Sequence, residues 1–217
     1  MHYSKVLKAA IVATSMLAAT SASAAVVTLD FEGIGDLNPV GNFYNGGAGT
    51  NYGVQFSPAT LALVDFDAGG NGNFANEPSP NTTMFFSDAN NAILDVAAGF
   101  DTGFSFFYSS ATTASVNVYD GLGATGNLLA TLILAAQFSQ NCSGDPTGAF
   151  CNFSPIGVIF DGIAKSIDFG GTADQIGFDN ITFGTETPGT SPVPLPAAAW
   201  LFGSALLGFA GFKRRTV

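Results

Sequence analysis

The sequence predicts an all-β domain, built as an antiparallel two-sheet sandwich of the jelly-roll type. Short apolar or alternating runs recur between residues 25 and 184, and no stretch there has apolar residues at the helical spacing i, i+3, i+4 and i+7. Gly, Asn, Asp, Pro and Ser fill the gaps, as is typical of turns between short strands. Strands of this length and spacing favour two packed sheets. The rival architecture, a β-helix, would need a fixed repeat period, which we do not find.

The predicted strands follow one another through this whole domain. Their phenylalanines, such as Phe104, Phe106 and Phe178, are expected to interleave between the sheets. The glycine-rich segment 120–127 predicts a hairpin loop. In chain order, the predicted strands are 26–32, 54–56, 61–66, 84–87, 92–96, 103–108, 115–119, 128–134, 157–160, 166–169 and 175–183.

Charge is distributed unevenly along the 217 residues. All 16 acidic residues lie between Asp30 and Glu186, and Lys165 is the only cation in that span, so one lysine against 16 carboxylates leaves a net charge of −15. Such a surface repels phosphate backbones and argues against nucleic-acid binding. The only histidine, His2, precedes a cleavable segment. A mature chain without imidazole excludes triads with a histidine base and histidine-ligated zinc.

The N-terminus has the three parts of a secretory signal peptide. Residues 1–8 contain two lysines, residues 9–19 are apolar, and residues 22–24 read Ala-Ser-Ala, which suits a signal peptidase. We therefore assign residues 1–24 to a signal helix that is removed on export. The alternative is a membrane anchor, but the apolar stretch is short for a bilayer of about 30 Å.

The C-terminus has the composition of a linker followed by a membrane span. Residues 185–192 are rich in Pro, Gly, Ser and Thr and predict a flexible linker. The uncharged stretch 198–212 predicts a transmembrane helix, and about 16 helical residues after Pro196 would span about 24 Å. The basic cluster of Lys213, Arg214 and Arg215 should stay in the cytoplasm, which places the acidic domain 25–184 on the other side of the membrane.

The last 25 residues closely resemble a VPLPA-type PEP-CTERM sorting signal of Gram-negative bacteria. The resemblance rests on a motif, an apolar helix containing Trp-Leu-Phe-Gly-Ser at 200–204, and the basic cluster, in that order. It implies export across the inner membrane, transient anchoring by the helix, cleavage by an exosortase-type membrane peptidase, and release to the cell surface or extracellular matrix. It also implies association with extracellular polysaccharide. The motif residues are Val193, Pro194, Leu195, Pro196 and Ala197.

Cys142 and Cys151 are the only cysteines, and the segment between them is rich in turn residues. Such a segment brings two Cβ atoms together, and export exposes both thiols to an oxidising compartment. We therefore predict a disulfide. The alternative, a catalytic cysteine, lacks a histidine base to form the thiolate.

Carboxylates near the two ends of the domain suggest a calcium site. Asp30 and Glu32 share one face of the first predicted strand, about 7 Å apart. In the last strand the apolar phase slips at Asp179, which predicts a β-bulge. If these two strands pair, the three carboxylates could hold Ca²⁺; the alternative is a solvated acidic edge that discourages aggregation. The segment 65–73 fails the EF-hand pattern and predicts a flexible glycine-rich loop.

Two functions fit this sequence. The first is a non-enzymatic exported surface or matrix protein, sorted through its C-terminal signal, with calcium as the only cofactor considered. The segments 30–33 and 177–183 are similar to those of sugar-binding jelly-roll modules. The alternative is a secreted glycoside hydrolase or lyase on a β-sandwich, since paired carboxylates work without histidine. Glu32, Glu77 and Glu186 are the only glutamates, so no catalytic residue is assigned.

Overall fold

The computed structural model describes residues 26–137 and 142–189, and these form two antiparallel β-sheets packed face to face. Each predicted run overlaps one strand, so the predicted all-β sandwich is confirmed. The described part contains one 3-10 turn, Phe66–Ala68, and no α-helix. The strands are β1 (Val27–Leu29), β2 (Val54–Phe56), β3 (Thr60–Val64), β4 (Thr82–Phe86), β5 (Asn91–Phe100), β6 (Gly103–Ser110), β7 (Ala114–Tyr119), β8 (Leu128–Leu134), β9 (Ser154–Ile159), β10 (Ala164–Gly170) and β11 (Ile176–Phe183).

The first sheet has the strand order β3-β4-β11-β6-β9, with β1 also paired to β11, and the second has the order β2-β5-β10-β7-β8. Within β4 to β11, the chain changes sheet at every connection except the β7–β8 hairpin. That hairpin is the predicted one: Tyr119 pairs with Leu128. The resulting orders, β4-β11-β6-β9 and β5-β10-β7-β8, are those of interlocked Greek keys, as in a jelly roll.

The core between the sheets is dominated by phenylalanine, as predicted. Phe104 and Phe106 on β6 and Phe178 on β11 are fully buried. All three contact Phe169 from the opposite sheet, with ring centroids 4.9 to 6.0 Å apart and edge-to-face angles. Each such pair contributes about 0.5–1.5 kcal/mol beyond the burial of apolar area. The interleaved rings pack the two sheets against each other.

The pairing of β1 with β11 brings the two ends of the domain together. Val27 lies opposite Phe183, and Leu29 opposite Ile181. On its other edge β11 pairs with β6, and the register there shifts between Asp179 and Thr182, which is the predicted bulge. Asn180 has φ 47° at this point. The bulge turns Asp179 into the protein, where it is fully buried.

The chain leaves β11 along the surface of the sandwich. Ser105 Oγ donates a hydrogen bond to the Thr185 carbonyl at 2.9 Å, and the Gly189 amide donates to Thr182 Oγ1 at 3.0 Å. The first residues of the predicted linker therefore pack on the first sheet. No helix in the described ranges is both long and apolar enough to cross a membrane. The predicted signal peptide, sorting motif, transmembrane helix and basic cluster lie outside the described residues.

Candidate functional site

Glu32 lies just beyond β1 and fixes the loop that leads into β4. Its Oε1 accepts hydrogen bonds from the amides of Asn81 and Thr82, at 2.9 and 2.8 Å, and from Ser79 Oγ at 3.3 Å. Its Oε2 accepts from Thr82 Oγ1 at 3.1 Å. The carboxylate therefore organises this loop through four donors of the protein itself.

Asp179 reaches the same loop from β11. Its Oδ2 accepts from the Ser79 amide at 2.7 Å, and its Oδ1 accepts from the Asn180 amide at 2.6 Å. Burial raises the pKa of Asp179 to about 8, and the charge of Glu32 adds to the rise although the Ser79 and Asn180 bonds oppose it. Because the side chain is fully buried, the solvated-edge interpretation is wrong for this residue.

Asp30 completes the predicted set and lies half-buried at the end of β1. Its Oδ1 accepts from the Glu32 amide at 3.3 Å. Its backbone carbonyl shares the single hydroxyl hydrogen of Ser79 with Glu32 Oε1 and the Thr82 carbonyl, which lie 3.2, 3.3 and 3.0 Å from Ser79 Oγ in that order. The fold thus brings the three predicted residues around Ser79. Within residues 26–137 and 142–189, however, they do not form a group of carboxylate oxygens close enough to share one ion.

Cys142 and Cys151 form the predicted disulfide, with their Cα atoms 5.2 Å apart. Closing this ten-residue loop stabilises the fold by about 2.7 kcal/mol in the chain-entropy model. Within the loop, Asp145 Oδ1 accepts from the amide and the hydroxyl of Thr147, at 2.9 and 2.7 Å. The loop is therefore both covalently closed and internally hydrogen-bonded.

A second carboxylate group was missed by the sequence reasoning. One oxygen from each of Asp65, Asp67 and Asp145 lies within 4.8 Å of the others. In the described part of the chain, no other three acidic, histidine or cysteine residues come so close. The EF-hand pattern concerns the segment 65–73 by itself, whereas the third carboxylate comes from the disulfide loop. An acidic residue between two cysteines was the one available signal.

An open cleft of about 370 Å³ lies beside the β1 and β11 ends. Its walls are mostly apolar, and Tyr52, 41 % exposed, lies at its rim against the ring of Tyr44, with centroids 6.1 Å apart. Asp101 is the single carboxylate in its lining. The cleft therefore offers an aromatic surface, but no pair of carboxylates.

No protein-family model matches the chain, and no curated protein matches it. Among solved structures, it is similar to the K2 cleaved adhesin domain of Lys-gingipain, with 12 % identity and a TM-score of 0.46 over 73 % of this chain and 97 % of that one. It is also similar to a family 6 carbohydrate-binding module, with 16 % identity and a TM-score of 0.36 over 58 % and 82 %. A third match is a glycoside hydrolase family 43 arabinoxylan arabinofuranohydrolase from Bacillus subtilis, with 19 % identity and a TM-score of 0.38 over 70 % and 28 %. Similarity at this level carries no argument about activity or ligand.

Proposed function

We propose that this chain is a non-enzymatic exported surface or matrix protein. In this proposal the sandwich is the cargo, and residues 193–217 are a VPLPA-type sorting signal that an exosortase-type membrane peptidase removes. The support for sorting is the resemblance of motif, apolar helix and basic cluster. The predicted signal peptide and the predicted cytoplasmic location of the basic cluster agree with the same direction of export.

The observation that carries the proposal is the Cys142–Cys151 disulfide. The chain has two cysteines, and the fold joins them to each other. Disulfides persist in oxidising compartments and are rare where thiols are kept reduced. A domain closed by a disulfide therefore supports a location outside the cytoplasm, at the cell surface or in the matrix.

The use of the carboxylates supports a non-enzymatic role. Glu32 and Asp179 accept hydrogen bonds that hold backbone in place, and the Tyr52 cleft holds one carboxylate, Asp101. Glycoside hydrolysis ordinarily needs two carboxylates that flank the scissile bond. Incubation with a panel of polysaccharides should release no reducing ends. Release of sugar would favour the alternative, a secreted glycoside hydrolase or lyase.

The Tyr52 cleft is the candidate contact for an extracellular polysaccharide. An exposed tyrosine ring backed by a second ring presents an apolar face on which sugar rings stack. Tyr52→Ala should weaken binding to the polysaccharide of the host matrix in a pull-down assay. Leu122→Ala, an exposed apolar change elsewhere, is the matched control. Equal binding by both variants would remove the cleft from the proposal.

Calcium held by Asp30, Glu32 and Asp179 stays a prediction, and it requires the three carboxylates to move closer together than they lie in this structure. Such an ion would share the Glu32 and Asp179 oxygens with the donors of Ser79 and Thr82. If it binds there, millimolar Ca²⁺ should raise the melting temperature of the wild-type chain but not that of Asp179→Asn. An equal rise in both would exclude this site.

Sorting can be tested on the chain in its own host. Mass spectrometry of the mature protein should find a C-terminus near residues 193–197, with the basic cluster missing. The double variant Pro194→Ala/Pro196→Ala should stay full-length in the membrane, whereas Pro188→Ala/Pro192→Ala in the linker should be processed normally. Full-length wild-type protein that is soluble in the cytosol would contradict the proposal.

A further inference from the structure

Two loops are docked against each other at one end of the sandwich. The first, residues 65–77, follows β3, and the second is the disulfide loop, residues 142–151. Phe74 and Phe150 form a backbone bridge between them, and the Ala75 amide donates to the Phe150 carbonyl at 3.1 Å. The Ala149 amide donates to the Asn73 carbonyl at 2.6 Å. The backbone therefore fixes the position of each loop relative to the other.

Three carboxylates converge where these loops meet. Asp65 and Asp67 come from the first loop, Asp145 comes from the second, and one oxygen of each lies within 4.8 Å of the others. Asp65 and Asp145 are only 9 % and 8 % exposed. Oδ1 of Asp65 and Oδ2 of Asp145 are buried and receive no hydrogen bond. A buried carboxylate oxygen without a donor is costly, so these two atoms indicate that a positively charged partner completes the site.

No basic side chain of the described part supplies that partner. Lys165 is the only lysine or arginine there, and its charge acts on Asp120 instead. Glu77 is a further half-buried carboxyl near this group, and it supplies no positive charge: burial raises its pKa to about 7, and the charges of Asp65, Glu32 and Asp145 add to the rise. The amide and the hydroxyl of Thr147 both donate to Asp145 Oδ1, at 2.9 and 2.7 Å. Asp145 therefore has one oxygen that accepts hydrogen bonds and one, Oδ2, that is buried without a hydrogen-bond partner.

We propose that Asp65, Asp67 and Asp145 bind one Ca²⁺ ion, which links the loop after β3 to the disulfide loop. Ca²⁺ binds oxygens at about 2.3–2.6 Å, so two of its ligand oxygens lie at most about 5 Å apart, which the measured separation satisfies. Three carboxylates favour Ca²⁺ over Mg²⁺, which keeps several waters and ordinarily takes one or two carboxylates. Water and backbone carbonyls would complete the coordination shell. This site is separate from the one predicted around Ser79, and it does not depend on how the chain is sorted.

The test is Ca²⁺ titration of the full-length chain by calorimetry near neutral pH. The wild-type chain should bind Ca²⁺, and Asp145→Asn and Asp67→Asn should each weaken binding at least about tenfold, since each replaces a charged carboxylate ligand by a neutral amide. Asp67 is exposed, so its variant keeps the fold even if a change at buried Asp145 does not. Asp88→Asn, an exposed acid remote from both loops in sequence, is the matched control and should bind as the wild type does.

A second measurement locates the ion. Ca²⁺ should slow amide hydrogen exchange in both residues 65–77 and residues 142–151 of the wild-type chain, and should not do so in Asp67→Asn. Absence of binding at millimolar Ca²⁺ would overturn the proposal. So would wild-type affinity in both Asp67→Asn and Asp145→Asn. Loss of binding in Asp179→Asn alone would place the ion near Ser79 and overturn it as well.

Discussion

At the scale of single residues, Glu32 acts as a polar anchor for the chain entering β4. Four donors from Ser79, Asn81 and Thr82 converge on its carboxylate. Hydrogen bonds to a charged acceptor contribute more than neutral ones, and donors left without a partner cost further free energy. The loop between Ser79 and Thr82 therefore depends on one side chain that lies far from it in the sequence.

Replacing this anchor should destabilise the domain. Glu32→Ala removes the acceptor for two backbone amides, so we expect the free energy of unfolding to fall by about 2–4 kcal/mol. Urea unfolding followed by circular dichroism measures the loss. Glu186→Ala, at an exposed glutamate, should change stability by less than about 0.5 kcal/mol. Equal effects from the two substitutions would show that the network around Glu32 contributes nothing.

Asp179 makes stability depend on pH. Burial raises its pKa to about 8, well above the value of an unfolded chain, so between about pH 4 and pH 8 the folded state holds more protons than the unfolded state. The free energy of unfolding must therefore fall as pH rises through this window. Glu77, with its pKa raised to about 7 by burial, contributes in the same direction.

We expect the melting temperature of the wild-type chain to decline from pH 5 to pH 8 in calcium-free buffer. Asp179→Asn removes the titrating group and should flatten this decline, leaving the smaller part due to Glu77. Asp88→Asn should keep the full wild-type slope. A decline of the same size in both variants would mean that Asp179 does not titrate as its burial implies.

At the scale of elements, β11 organises the first sheet. It pairs with β1 and β4 on one edge and with β6 on the other, and its bulge turns Asp179 inward. The segment after β11 then crosses the sheet over Gly157 on β9. A Cβ atom at Gly157 would collide with the Glu186 carbonyl oxygen and would lie 2.7 Å from Ser105 Cβ. The glycine is needed because backbone approaches backbone there.

Gly157→Ala should therefore displace the segment 185–189 from the sheet. Overpacking of this kind costs about 1–3 kcal/mol, and hydrogen exchange in the segment should become faster. Gly177→Ala is the matched control within a strand, because its nearest atom, Thr83 Oγ1, is 3.7 Å from the added Cβ. Identical exchange rates in the two variants would contradict the contact.

At the scale of the whole molecule, the described part carries one cation against 16 carboxylates. Mutual repulsion among these charges opposes the compact state. Added salt screens this repulsion, since the Debye length is about 10 Å at 0.1 M salt. Melting temperature should rise by a few degrees between about 0.02 and 0.5 M NaCl. Lys165→Gln should lower the melting temperature mainly at low salt, whereas Lys165→Arg, which keeps the positive charge, should leave the melting temperature unchanged. A melting temperature independent of salt would show that repulsion is unimportant.

The strands could be predicted because the signals that form them are local. Alternating or short apolar runs marked all eleven strands, a phase slip at Asp179 marked the bulge, and the eight turn-rich residues between Cys142 and Cys151 indicated the disulfide. These features depend on neighbours within about ten residues. The polar surroundings of Glu32 carry no such periodicity, so its four donors were not foreseen.

The sequence by itself determined the β content, the concentration of negative charge and the terminal segments that resemble export and sorting signals. Only the tertiary structure decided which strands are neighbours, that Asp179 is buried, and that Asp145 meets Asp65 and Asp67. The physical reason is that pairings between distant segments follow from how the phenylalanine core closes. The pattern of apolar residues specifies which face of a strand is buried. It does not specify which distant strand will lie beside that strand or pack against its buried face.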